Sequence, residues 1–153
     1  MENIIIRTAT LADMIVLLVF EQGVVTAERA FDSTLKKGKV RYYDLEQMIH
    51  AEHIQLLVAE VNNELVGCGY ARIEEAKHYL QHNQHAYLGF MYVTPAHRGK
   101  GVNKLIMNAL FEWSKSKNIN EIRLDVYYEN TPAIKAYEKA GFVKHMLEMR
   151  LGL

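Results

Sequence analysis

The spacing of apolar positions changes several times along the chain, and each change marks an element. The β-branched run "IIIRTAT" (4–10) predicts a first strand. Thr10, with Asp13 three residues on, has the form of a helix N-cap with an acidic first turn, and predicts a helix to about Arg29. Asp44 reads as the cap of a shorter helix over 45–51. Two β-rich runs, "QLLVAEV" (55–61) and "ELVGCGYARI" (64–73), flank Asn62 and Asn63 and predict a hairpin. Polar residues 74–85 read as a loop, and "AYLGFMYV" (86–93) as a central strand.

Beyond two glycines, Val102, Leu105, Ile106, Ala109, Leu110 and Trp113 recur at helical spacing, ending near Asn118. "EIRLDVYY" (121–128) alternates as a strand should. Thr131 followed by Pro132 predicts an N-cap with proline at the first helical position. Ala133, Ile134 and Tyr137 share one face of that helix, Gly141 closes it, and "FVKHMLEMRL" (142–151) predicts a last strand. The order β-α-α-β-β-β-α-β-α-β implies the α/β class: one domain over 1–153, a mixed sheet flanked by helices. No repeat or Gly/Ser-rich linker divides it.

Composition narrows the class of function. The chain has 153 residues, half of them hydrophobic, with 18 Lys+Arg balanced by 18 Asp+Glu. That balance argues against a general nucleic-acid binder, which needs a basic surplus. The single cysteine, Cys68, has no partner for an internal disulfide and reads as a buried strand residue. "MENIIIRTAT" lacks the basic start and long apolar stretch of a signal peptide, and "MIVLLVF" (14–20) is too short to span a bilayer. A soluble cytoplasmic protein without a membrane partner is expected. His78, His82 and His85 have spacings that would suit a metal on a helix, but no further ligand pair accompanies them. They read as part of a polar loop, with no metal expected.

The chemistry concentrates at "VTPAHRGKGVNKL" (93–105), where a strand passes through Gly99 and Gly101 into a helix. A plain strand-to-helix turn would explain it. So would a cradle for phosphates: the first helical turn has unpaired N–H groups, glycine lets a ligand approach the backbone, and Arg98, Lys100 and Lys104 add positive charge. The spacing is neither that of a Walker loop nor of a dinucleotide fingerprint.

The segment resembles the R/Q-x-x-G-x-G/A motif of the GNAT superfamily of acyl-CoA-dependent N-acyltransferases, with its V-x-P lead-in at Val93 and Pro95. Asn103 departs from it, standing where Gly or Ala is usual. "LDVYYENTPAIKAYEKAGF" resembles a second family pattern through Asn130, Ala133, Tyr137, Gly141 and Phe142. Together the two imply a GNAT-like, mostly antiparallel sheet and acetyl-CoA as co-substrate. The resemblance further implies that the amides of Arg98, Gly99, Lys100, Gly101, Val102 and Asn103 take the coenzyme A pyrophosphate. Met91, Tyr92 and Val93 would lie along the pantetheine arm, an amide near Met91 or Tyr92 would polarise the thioester carbonyl, and Asn130 would hydrogen-bond the arm. Tyr137 matches the family's general acid, although its position alone also suits a core aromatic.

The general base is not evident. Many relatives carry a glutamate on the strand before the glycine turn, and no acidic residue lies between His85 and Val93 here; Tyr87 and Gly89 stand in the equivalent places. A water relay or a carboxylate from elsewhere, such as Glu74 or Glu75, would have to serve. Tyr42, Tyr43 and Tyr70 are candidates for the acceptor pocket. The leading reading is an N-acetyltransferase acting on a primary amine, small molecule or protein, with a homodimer left open. The alternatives are a non-catalytic acyl-CoA sensor on the same fold and a peptide-modifying enzyme within a complex.

Overall fold

The computed structural model describes residues 2–153 as an α/β fold. A five-stranded sheet runs in the order β1 (Ile5–Thr8), β2 (Ile54–Val61), β3 (Glu64–Glu75), β4 (Gln84–Val93), β5 (Ile122–Arg123). The first three pairings are antiparallel and the β4–β5 pairing is parallel. The helices are α1 (Met14–Glu28), α2 (Leu45–His50), α3 (Val102–Ser116) and α4 (Thr131–Lys139).

Local chemistry accounts for most of this. Asn62 and Asn63 take φ of 51° and 65°, the left-handed pair that a two-residue hairpin turn needs. Asp44 caps α2 by accepting from Gln47 N at 3.2 Å. The Asp13 carboxylate accepts from Thr10 N at 2.8 Å and from Arg7, but the chain enters α1 through a short 3-10 turn over Leu11–Asp13. On α3, Val102, Ile106 and Leu110 are buried against β2 and β3; Leu105, expected inside, is exposed, while Met107, outside the expected stripe, is buried. A second cluster joins α1 and α2 to the other sheet face through Leu17, Phe20, Leu45, Val58, Cys68, Tyr70 and Phe90. Cys68 is fully buried, donates to Phe90 O at 3.4 Å, and has its thiol pushed up by desolvation, so it is structural and inert.

The C-terminal third departs from expectation. Of the strand expected over 121–128, only Ile122 and Arg123 pair with β4. The strand expected over 142–151 pairs with nothing: residues 143–153 make no backbone hydrogen bond among the described residues. The period-2 pattern is present in both segments, but a strand needs a neighbour, and the single chain supplies none. The cap of α4 also moves by one residue, since Asn130 rather than Thr131 accepts from Ala133 N, at 3.3 Å. Gly141 closes the helix at φ 109°, and Phe142 N donates to Tyr137 O.

Candidate active site

The site begins with a defect in β4. Opposite Gly69 the ladder slips, so that Cys68 faces Tyr92 while Tyr70 faces Gly89, and Phe90 sits at φ 52°. A bulky residue in the left-handed region is a strained bulge, and one extra residue reverses which backbone groups point to which neighbour. Before the bulge, Ala86 N faces β5 and donates to Glu121 O at 3.0 Å; after it, Thr94 N faces β3 and donates to Val66 O at 2.8 Å. By alternation, the N–H groups of Met91 and Val93 point away from β3, and that of Tyr92 toward it. On their side β4 has no partner, because β5 leaves it after Tyr87. A wedge-shaped opening with free amides results.

The glycine turn lies where this edge ends. Gly99 and Gly101 take φ of 76° and 85°, and a side chain at either would meet nothing within 4 Å. The glycines are therefore required by backbone conformation, and the space above them is open. Gly101 is the N-cap of α3, and Leu105 N is the first amide bonded back to it, which leaves the amides of Val102, Asn103 and Lys104 without intrahelical partners. The side-chain oxygen of Asn103 is buried without a donor. The cations do less than their number suggests: Arg98 Nε turns back to Val93 O at 3.0 Å, and Lys100 Nζ lies 3.4 Å from Glu2.

Tyr92 and Tyr70 shape the floor. The Tyr92 ring packs 4.8 Å from Phe20 of α1. The Tyr70 ring leans on Gly89, where any Cβ would collide with its hydroxyl end, so a side chain at the strand position often held by glutamate would displace it. Beside it, Tyr87 Oη donates to Asp125 Oδ2 at 3.2 Å, and Arg72 lies over both tyrosine rings at 5.5 and 5.4 Å while pairing with Glu74 at 2.9 Å. His85 is 3.5 Å from Glu74 and its ring lies beside His82; among the described residues no group of three metal-binding side chains occurs.

Two carboxylates that the sequence did not single out stand at the far end of the wedge. Glu28, on the last turn of α1, is half-buried, and desolvation raises it above the ordinary carboxylate range. Its charge helps raise the phenols of Tyr42, pushed up to about 12 mainly by burial, and of Tyr137, also mainly by burial. Tyr42 Oη is buried beside it without a hydrogen bond of normal geometry. Asp32 accepts from Tyr127 Oη at 2.6 Å, tying the loop after α1 to the 124–128 segment. Buried Glu21 sets Tyr42 and Tyr43 in place, accepting from their amides at 2.8 Å and from Arg41 at 2.6 Å. Only adjacency in space reveals Glu28 and Asp32; their sequence neighbourhood carries no motif.

Of the residues predicted for the site, Met91 and Val93 lie on the open edge of β4, and Gly99 to Asn103 form the turn and helix start that it runs into. Tyr137 is half-buried on α4, its ring 5.8 Å from Phe142. Asn130 uses its side-chain oxygen as the α4 cap, leaving its NH₂ free. An open strand edge running into a helix start with free amides offers donors along its length and an anion-accepting end.

Comparison with known proteins agrees. The family model described as acetyltransferase (GNAT) family matches residues 25–142, and the chain belongs to that family. It is similar to streptothricin acetyltransferase of Streptomyces lavendulae, 33% identical over 64 residues, covering 42% of this chain and 34% of that protein. Aminoglycoside N(6')-acetyltransferase type 1 of Salmonella typhimurium is 26% identical over 65% of this chain and 69% of its own. The chain spans about a third of the length of the first curated relatives it matches. In fold it is similar to a predicted acetyltransferase from Clostridium acetobutylicum solved with acetyl-CoA, with a TM-score of 0.74, 19% identity and coverage of 98% and 96% of the two chains. No helix among the described residues is long and apolar enough to cross a membrane.

Proposed function

We propose that the protein is an N-acetyltransferase that moves the acetyl group of acetyl-CoA to a cationic primary amine by direct attack. The observation that carries this reading is the free edge of β4 beyond Tyr87, which runs into the unbonded amides of Val102, Asn103 and Lys104 at the glycine turn. Asn103 Oδ1, buried at that turn without a donor, is one more acceptor that a ligand's N–H could satisfy. The ligand's pantetheine amides are donors that suit Asn103, and its pyrophosphate suits the free amides of 102–104.

The residues then divide the work. The Met91 N–H, on the open edge, is placed to polarise a carbonyl. Glu28, with a raised affinity for protons, receives the proton of the incoming ammonium, and the neutral amine attacks the thioester carbon. As the C–S bond breaks, Tyr137 protonates the departing thiolate; the nitrogen's second proton passes through water back to the Tyr137 phenolate, and the proton held by Glu28 leaves to solvent. Glu28, Asp32 and Asp125 together favour a cationic acceptor, and the tyrosine faces of 42, 70 and 87 suit it further. The names of the streptothricin and aminoglycoside relatives support a small amine over a protein. A screen of primary amines for coenzyme A release by the purified protein tests the proposal. Release with small polyamines at rates well above thioester hydrolysis is expected; tight acetyl-CoA binding with no release for any amine would leave the sensor reading instead.

A further inference from the structure

Six large apolar side chains stand exposed in one short segment: Val143, Met146, Leu147, Met149 and Leu151 at 59–84% exposure, and Leu153 beyond them. No turn or bend interrupts 142–153. Along it Val143, His145, Leu147, Met149 and Leu151 fall on one face, and Lys144, Met146, Glu148 and Arg150 on the other, the alternation of a half-buried strand.

A second unpaired segment lies in the same chain. Residues 124–127 continue β5 without bend or strand partner, ahead of a turn at Tyr128 and Glu129, and form the sheet's last edge. They alternate too: Ile122 and Leu124 pack toward the α3 side, while Arg123 and Asp125 face the other way. An edge of free backbone groups next to a loose amphipathic strand is a pairing waiting for geometry. The chain's own tail does not make it. Phe142 stays against Phe111 and Tyr137, and the apolar side chains beyond it stand exposed.

The area agrees. A folded monomer of 17.6 kDa exposes about 7,900 Å². This chain exposes 10492 Å², an excess of roughly 2,600 Å². Obligate homodimers bury about 2,000–5,000 Å² or more summed over both partners, and two copies of this chain together carry an excess of roughly 5,200 Å². α4 shows the same deficit, since none of its residues is buried.

We infer that two copies of this chain exchange their C-terminal segments, residues 143–151 of each adding a strand to the edge formed by 122–127 of the other. In any register that keeps the apolar faces together, Val143, Leu147, Met149 and Leu151 join Ile122, Leu124 and Val126 on the α3 side. On the opposite face Lys144, Glu148 and Arg150 come beside Arg123 and Asp125, so both signs of charge find partners. The incoming strand would also close the floor under α4, and so hold the helix that carries Tyr137.

Light scattering of the full chain, with hydrogen exchange at several concentrations, tests the exchange. A mass of twice 17.6 kDa is expected, with amides of 124–127 and 143–151 protected together and losing protection together on dilution. Leu147→Lys combined with Met149→Lys should yield monomers with unchanged helix content, as should ending the chain after Phe142. If the short form fails to fold, the double-lysine variant decides. A parent monomer, a dimer that survives the lysines, or protection of 143–151 that does not depend on concentration would each overturn the inference. The last of these would show that the tail pairs within its own chain.

Discussion

The Tyr127 phenol donates to the Asp32 carboxylate at 2.6 Å across 95 residues of sequence. This bond is a strut between the loop after α1 and the segment that follows β5. The phenol holds Asp32 below the usual carboxylate range, with Thr34 the larger cause and Tyr127 the second. Tyr127→Phe keeps the ring, which lies 6.2 Å from Phe31, and removes only the strut. KM for the amine is expected to rise severalfold with kcat changed less, since the strut positions the acceptor and does not touch the reacting atoms. Steady-state kinetics with an acceptor from the screen would show it, and an unchanged KM would remove the strut from the account.

Gly101 tests the phosphate end. At φ 85° any side chain is strained, by roughly 1–2 kcal/mol and more for a β-branched residue, yet it would collide with nothing in the protein. Gly101→Val should therefore lower the melting temperature by several degrees while abolishing coenzyme A binding in calorimetry. Retained affinity in a folded variant would move the pyrophosphate elsewhere.

Asn103 should separate stability from binding. Its oxygen is buried and unpartnered in the empty protein, so Asn103→Ala removes an unsatisfied acceptor and improves helix propensity. The ligand-free protein should gain about 1 kcal/mol, a rise of a few degrees in Tm. Affinity for coenzyme A should fall about tenfold. A variant less stable and equally tight would mean that the side chain serves packing alone.

Glu28 predicts the pH dependence. Burial raises its folded pKa above the unfolded one, so the charged form is disfavoured by the fold. The sign follows: its contribution to stability is full below the unfolded pKa and is lost as pH rises through the folded pKa. As a base it must be ionised, so kcat/KM should fall on the acid side of that raised value. Glu28→Gln should remove this acid limb, lower kcat/KM by about a hundredfold at neutral pH, and make the protein slightly more stable there. An acid limb that persists in the variant would assign the base to another group.

How much of this could be read in the sequence depends on the range of the forces involved. The Asn62 and Asn63 hairpin, the Asp44 cap and, apart from Leu105, the buried face of α3 are decided within a few residues, and they stand where the pattern put them. Gly99 and Gly101 announce a left-handed turn by having no side chain. The bulge at Phe90 carries no such signal, because an aromatic residue rarely adopts positive φ and does so here only under the constraint of both neighbouring layers. Glu28 reaches the groove through packing between distant elements, which no local spacing records. The segments 121–128 and 142–151 have the right alternation and lack a neighbour. Pattern predicts the propensity to pair, and the partner must come from elsewhere.

Tyr137 is the sharpest test of the chemistry. It lies on the half-buried face of α4, beside Ala133 and Ile134, with its ring against Phe142. Burial, and the Glu28 charge after it, hold its phenol above the ordinary tyrosine value, so it stays protonated through the neutral range and can donate. Tyr137→Phe keeps the ring and its packing and removes only the hydroxyl. A positioned acid contributes about a hundredfold or more. kcat should therefore fall by that order, with coenzyme A affinity within a few-fold of the parent and the melting temperature nearly unchanged. The loss should be smaller with a thioester whose leaving thiol has a lower pKa, since that thiolate departs without help. This dependence separates a proton donor from a ring that merely packs. A Phe variant with the parent's rate under conditions where chemistry limits turnover would assign the proton to solvent and leave Tyr137 as a wall of the groove.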